Sequence, residues 1–200
     1  MTRETSLVAS MVAATAAFLA ASPFAQAAPI LDAAGGHYYE RIDVQGGLTW
    51  STAKADALAL SFMGVQGHLA VITSAAEDTF IKTNFAVFTS VDPGGIGFGP
   101  WIGAFCAVGA CNQLSAYQWV DGEAFTYNGF GSFEPSGDGL AGTGAGVQYL
   151  NFRNGWNDSA SGENRPPGFI VEFDVPEPMT LALFGFGAAA VGWLQRRKHA

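Results

Sequence analysis

Both ends of this chain are too apolar and too continuous to belong to a globular domain, and that takes them out of the folding problem. Met179 to Leu194 is sixteen residues without a charge, preceded by Val175-Pro176-Glu177-Pro178 and followed by Arg196-Arg197-Lys198. At about 1.5 Å per helical residue it spans roughly 24 Å, a little short of a roughly 30 Å hydrocarbon core, so its flanks must reach into the interface. Basic residues stay on the cytoplasmic side, which places the chain before Pro176 outside the inner membrane. At the other end Arg3 precedes an uncharged stretch containing the apolar run Leu7 to Ala20. Pro23 closes that run, and Ala25-Gln26-Ala27 supplies small-x-small cleavage chemistry, so residues 1–27 are expected to be a secretory signal peptide.

What remains, Ala28 to Val175, is 148 residues, a length that suits one domain with a full core. It carries five Lys or Arg against fifteen Asp or Glu, a formal charge of −10. Nucleic acid is excluded as a partner on that balance, because binding it depends on basic side chains that displace counterions from phosphates. An acidic surface suits solubility or cation binding instead. Cys106 and Cys111 are the only cysteines, with four residues between them, and an exported chain meets an oxidising compartment. A local disulfide is expected. Two thiols with no further Cys or His nearby do not make a metal site.

His37 to Val44 and Gly168 to Val175 alternate as strands, and pairing them brings the two ends of the domain together. Thr49 to Met63 and Ser74 to Phe85 read as amphipathic helices. The first buries Trp50, Ala53, Ala57 and Leu58 with Thr49 or Ser51 as cap; the second has Ser74 and Glu77 at capping-box spacing and Phe80 and Ile81 on its inner face. Gly67 to Ile72 is a turn into a short strand. Trp101 to Phe105 and Tyr117 to Gly122 read as two short strands around the cysteine loop. Gly129 to Gly146 holds seven glycines and reads as a long irregular loop, and loops of that length are commonly functional. Val147 to Phe152 is a further strand.

The tail resembles the PEP-CTERM sorting signal of Gram-negative bacteria, through Pro176-Glu177-Pro178, the apolar span 179–194 and the Arg/Lys cluster, all within 175–200. The resemblance implies processing by a membrane protease of the exosortase type. It further implies release or re-anchoring at the cell surface, often in strains that make exopolysaccharide and form biofilm. A plain single-pass anchor is the other reading.

Within the domain, seven segments stand in order: Trp50-x-x-Ala53, Gly67-His68-Leu69-Ala70, Trp101-Ile102-Gly103, Trp119-Val120-Asp121-Gly122, Glu134-Pro135-Ser136, Trp156-Asn157-Asp158 and Phe169-Ile170-Val171-Glu172. This pattern resembles the C-type lectins over residues 35–174. It implies an α+β fold of two helices, twisted antiparallel sheets and a long Gly-rich loop region that holds calcium and ligand. By the same resemblance Glu134, Ser136, Asn157 and Asp158 are the ligand- and metal-binding oxygens, with Pro135 in a cis bond. Calcium takes six to eight oxygens, of which a sugar's vicinal hydroxyls can supply two.

The chain departs from the family pattern where Ser136 replaces an Asn and Ala145 replaces an acidic ligand, so Asp138 or Glu163 would have to substitute. Both of the family's long-range disulfides are absent, with Ala57 and Val171 at one pair of positions and Val147 and Ser161 at the other. A calcium site and a degenerate one both stay open. The expected function is an exported surface module for carbohydrate, the alternative a calcium-independent adhesive or structural module. With His37, His68 and His199 the only histidines, no nucleophile and base can be argued from spacing, and an enzyme is not expected. His68 reads as a structural, hydrogen-bonded histidine, and a loop aromatic, Phe130 or Phe133, as a sugar-stacking ring.

Overall fold

A computed structural model describes residues 28–88, 97–107, 109–137, 144–160, 162–163 and 165–174. The signal peptide and the sorting tail expected from the sequence lie outside the described residues. Among the described residues no helix is long and apolar enough to cross a membrane.

The architecture is α+β. Strands β1 (Ile30–Asp32) and β2 (His37–Asp43) form a hairpin. Helix α1 (Trp50–Ala59) leads to the minimal hairpin β3 (Ser61–Phe62) and β4 (Val65–Gln66), then β5 (His68–Leu69) and helix α2 (Ala75–Asn84). There follow β6 (Phe98–Cys106), β7 (Tyr117–Trp119), β8 (Ala145–Leu150), β9 (Gly155–Ala160) and β10 (Gly168–Asp174). The main sheet runs β1-β2-β10-β6-β8-β9, with β5 added to β10 and β7 to β6. Strand β10 pairs antiparallel with β2 over its whole length, Gly168 opposite Asp43 through Asp174 opposite His37, so the two ends of the domain meet as the alternation implies. Its contact with β6 is parallel.

Helix α1 is capped by Thr49, whose side chain accepts the Thr52 N–H, and it stops at Ala59 instead of running to Met63. The reason is local. Met63 and Gly64 both take positive φ, 51° and 83°, the geometry of a two-residue hairpin turn that reverses the chain between β3 and β4. Trp50, Ala53 and Ala57 are buried as expected, whereas Leu58 is 41% exposed. Ser74 caps α2 by accepting the Glu77 N–H at 3.2 Å, but Glu77 does not reach back to Ser74; its carboxylate accepts from the Thr73 N–H and the Tyr39 hydroxyl.

The core divides into two apolar clusters. One gathers Trp119, Trp156, Tyr149, Ile102 and Ile81; the other gathers Trp50, Trp101, Phe169, Phe173, Ala57 and Val171. Ala57 and Val171 are fully buried together in the second, so apolar packing stands where the resembling family has a disulfide. The two indoles of that cluster are also satisfied, Trp50 donating to the Ile102 carbonyl at 2.9 Å and Trp101 to the Leu48 carbonyl at 2.8 Å. Cys106 and Cys111 form the expected disulfide across a Cα separation of 5.7 Å. The expected irregular stretch ends earlier than Gly146, because β8 already begins at Ala145. Gly146 lies flat under the Trp50 ring, where an added Cβ would sit 2.4 Å from the indole, so only glycine lets strand and helix approach.

Candidate binding site

Strand β9 positions the site, and a buried carboxylate positions β9. Asp78 on α2 is 4% exposed and accepts four hydrogen bonds. Tyr149 hydroxyl (2.7 Å) and Trp156 Nε1 (3.2 Å) donate to Oδ1, Lys82 Nζ (2.6 Å) and Tyr127 hydroxyl (3.1 Å) to Oδ2. This one group ties α2 to β8, β9 and the long loop. Burial, with Asp78 alongside, raises the Tyr127 phenol to about 12 and pushes Tyr149 well up, so both stay protonated donors. Gly129 packs flat on Trp156, whose ring would be 2.5 Å from an added Cβ, and the chain pairs there, the Trp156 N–H donating to the Gly129 carbonyl at 2.9 Å.

From that anchor the four residues expected at the site converge. The Glu134–Pro135 bond is cis. Asp158 is fully buried, and its two oxygens accept the Ser136 N–H at 2.8 Å and the Gly137 N–H at 3.0 Å, so it holds the loop down from beneath. Asn157 donates Nδ2 to the Asp158 carbonyl at 2.6 Å. Glu134 accepts the Ser136 N–H through Oε2 at 2.9 Å and Arg153 Nε through Oε1 at 2.9 Å, with its side chain 2% exposed. Burial, helped by the neighbouring Asp158, raises the Glu134 carboxyl above the usual carboxylate range.

Glu134, Ser136 and Asn157 line a cleft of about 380 Å³ together with Arg153, Ser159, Glu163, Arg165, Phe98, Leu150 and Phe152. One wall is a relay: Gln148 Nε2 donates to Ser159 Oγ, Ser159 Oγ donates to Glu163, and Glu163 pairs with Arg165. Arg165 lies 4.6 Å over the Phe98 ring. On the other side Arg153 sits against both Phe133 and Phe152, 5.9 and 4.8 Å from their centroids. Those two rings are 88% and 69% exposed, an apolar rim beside charged groups. Of the two loop aromatics singled out from sequence, Phe133 is the exposed one; Phe130 packs edge-on to Trp156 inside.

Calcium, which the resemblance implies, would be held by Glu134, Ser136, Asn157 and Asp158, with Asp138 or Glu163 as a further ligand. Among the described residues the carboxylates of this set already have protein partners. Glu134 is committed to Arg153, Glu163 to Ser159 and Arg165, and both Asp158 oxygens to backbone amides. A cation in the cleft shares it with the two guanidinium groups of Arg153 and Arg165, whose charge opposes its own. Asp138 and Ser161 lie outside the described residues. Ala145 is buried, 1% exposed, and offers no side-chain oxygen.

Sequence reasoning overlooked Arg153 and Arg165, whose proximity to Glu134 and Glu163 is set by chain geometry, and also a polar cluster on other strands. His37 Nδ1 lies 3.0 Å from Glu172 and 3.1 Å from Asp174. The hydrogen bond to Glu172, foremost, draws the His37 imidazole up to about 9, while burial raises the Glu172 carboxyl. His68 Nδ1 donates to the Leu69 carbonyl at 3.0 Å, in keeping with a structural role.

Residues 174–198 match the model of the PEP-CTERM protein-sorting motif, so the chain carries a C-terminal sorting signal of secreted proteins. The described domain has the C-type lectin-like fold. It is similar to the C-type lectin CEL-I from Cucumaria echinata, at 18% identity and a TM-score of 0.54, covering 72% of this chain and 95% of that one. It is also similar to the EPNH mutant of CEL-I, at 19% identity and a TM-score of 0.52, covering 71% of this chain and 92% of that one. Halomucin of Haloquadratum walsbyi is 29% identical over 147 residues, covering 69% of this chain; the chain spans 1% of Halomucin's length.

Proposed function

We propose that this chain is an exported surface module that binds carbohydrate in the cleft between the long loop and β9, without requiring calcium. The observation that carries the reading is the convergence of Glu134, Ser136 and Asn157 on a cleft whose charge is already balanced by Arg153 and Arg165. Hydroxyl-rich ligands suit such a site, since carboxylate and amide oxygens accept from hydroxyls while the guanidinium N–H groups donate to them. The exposed faces of Phe133 and Phe152 give the apolar side of a sugar ring a surface to stack on. Similarity to solved lectins supports a binding role over catalysis. On this reading the domain, expected over residues 35–174 and extended at its start by β1, lies between a signal peptide and a membrane-embedded sorting tail processed by an exosortase-type protease, with the cell surface as destination.

A calcium-dependent form of the same reading draws on one further observation. Glu134 and Asp158 stand close enough for each other's charge to raise Glu134, and a divalent ion would relieve that repulsion if Arg153 swung away. Binding of the full chain in detergent to an array of glycans and bacterial polysaccharides, run in EDTA and again in millimolar calcium, separates the readings. Retention in EDTA that is lost in Asn157→Ala and Arg153→Ala is expected. Retention in calcium alone would transfer the role to the metal-dependent form, and an array blank under both conditions would leave an adhesive, protein-binding module.

A further inference from the structure

The registers of three strands bring four metal-ligating side chains to one face of the sheet. Glu172 and Asp174 are two residues apart on β10, and residues at that spacing point the same way from a strand. Directly across from Asp174 on β2 is His37, and directly across from Glu172 on β5 is His68. Antiparallel partners share a face, so two imidazoles and two carboxylates occupy the corners of a small patch. None of these strands lines the cleft.

The distances of three of these side chains fit a small tetrahedral ion with one open position, and His68 stands outside that trio, beside Asp174. The ligand atoms of His37, Glu172 and Asp174 all lie within 4.8 Å of one another. His37 Nδ1 is 3.0 Å from Glu172 Oε1 and 3.1 Å from Asp174 Oδ1, and His68 Nε2 is 3.9 Å from the same Asp174 oxygen. A tetrahedral zinc with arms of about 2.1 Å requires ligand atoms about 3.4 Å apart. The supporting contacts are in place as well. Leu69 O can only accept, so His68 Nδ1 donates to it, which leaves Nε2 as the ring nitrogen turned toward Asp174. Glu172 is 3% exposed, and its other oxygen accepts the Val71 N–H at 2.7 Å, fixing the carboxylate in the plane that presents Oε1 to His37. Asp174, with its side chain 63% exposed, leaves an open approach from solvent.

We propose that His37, Glu172 and Asp174, with His68 supporting Asp174 from β5, form a binding site for a transition-metal ion of the zinc type, clasping β2, β5 and β10 where the domain meets the sorting motif. Mixed imidazole and carboxylate ligation selects zinc, nickel or copper over calcium, which prefers an all-oxygen shell of higher number. Bridging three strands that are far apart in sequence, the ion would stabilise the folded state in proportion to its occupancy.

The test is equilibrium dialysis of the untagged, EDTA-stripped full chain in detergent against zinc chloride, with the metal content of the protein counted and melting temperature followed. One zinc per chain and a rise in melting temperature are expected, with affinity reduced at least about tenfold in both His37→Gln and His68→Gln. His199→Gln, in the tail, should bind as the unmodified chain does. Cobalt(II) in place of zinc should give the intense visible absorption of a tetrahedral complex, a readout that does not depend on how the variants fold. If zinc uptake is absent, is equal in the His37→Gln/His68→Gln double variant, or is matched by calcium at the same concentration, the cluster is an imidazolium–carboxylate ion pair and the proposal fails.

Discussion

Replacing Asp78 with alanine should destabilise the domain by about 3 kcal/mol, a figure that follows from which of its four donors can find water. Tyr149 and Trp156 are fully buried, so the hydroxyl and the indole N–H lose their acceptor without replacement, at about 1–3 kcal/mol each. Lys82 and Tyr127 are partly exposed and can turn to solvent, which limits their share to a few tenths. Removing a buried carboxylate returns part of its desolvation cost, which places the net effect in the lower half of the range. For a domain of this size each kcal/mol moves the midpoint by about 2–4 °C, so thermal unfolding followed by circular dichroism should show a fall of about 6–12 °C. Asp78→Asn keeps an oxygen for Tyr149 and Trp156 and should fall by no more than about half as much. A melting temperature for Asp78→Ala within about 2 °C of the parent, or an Asp78→Asn variant as damaged as the alanine, would refute the assignment of Asp78 as the fixed point beneath the cleft.

Arg153→Gln leaves the buried Glu134 carboxylate beside Asp158 without its cation and should cost about 2 kcal/mol. Calcium added to that variant at about a hundredfold over its dissociation constant should stabilise it by about 2.7 kcal/mol, enough to offset the loss, whereas the parent chain should not respond; equal responses in the two melting scans would remove Arg153 from the argument. Changing Cys106 and Cys111 together to serine opens a loop with four residues between its ends and should cost about 2 kcal/mol by chain entropy, measured as a shift in urea midpoint without a change of slope.

The frame of the fold was legible because its signals are periodic. Alternation in His37–Val44 and Gly168–Val175 predicted the β2–β10 pair, Ser74 predicted where the second helix begins, and of the two caps left open for the first, Thr49 and Ser51, the structure uses Thr49. The ordered tryptophan motifs carried the fold class. What escaped were features set by partners distant in the chain. Glu77 was singled out only by its capping-box spacing and Asp78 by nothing in the sequence, yet both are buried, because Tyr39, Tyr127, Tyr149 and Trp156 arrive from other elements to donate to them. The end of α1 was missed because Met63-Gly64 is a weak turn signal unless the φ values are known. At the site, the motif placed Glu134, Ser136, Asn157 and Asp158 together. No spacing rule announces that Arg153, nineteen residues beyond Glu134, lies against it, or that His37 meets Asp174 across 137 residues.

The cleft is organised by the same physical requirement that a bound cation meets, namely that converging carboxylates be neutralised and that the loop backbone at Ser136 and Gly137 be held in place. Asp158 performs the second task by drawing the Ser136 and Gly137 amides inward, and Arg153 performs the first at Glu134. Arg153 is itself held between Phe133 and Phe152, so the positive charge is fixed in place instead of diffusing with solvent ions. A loop tethered by side chains has no need to wait for metal, and its ligand affinity should be insensitive to chelation while depending steeply on the arginine. If the His37, Glu172 and Asp174 cluster takes the ion proposed for it, chelation should lower the melting temperature while leaving the cleft's affinity intact. Coupled loss of both in EDTA would mean that a single metal serves fold and ligand alike, and that the separation of the two sites drawn from the strand registers is wrong.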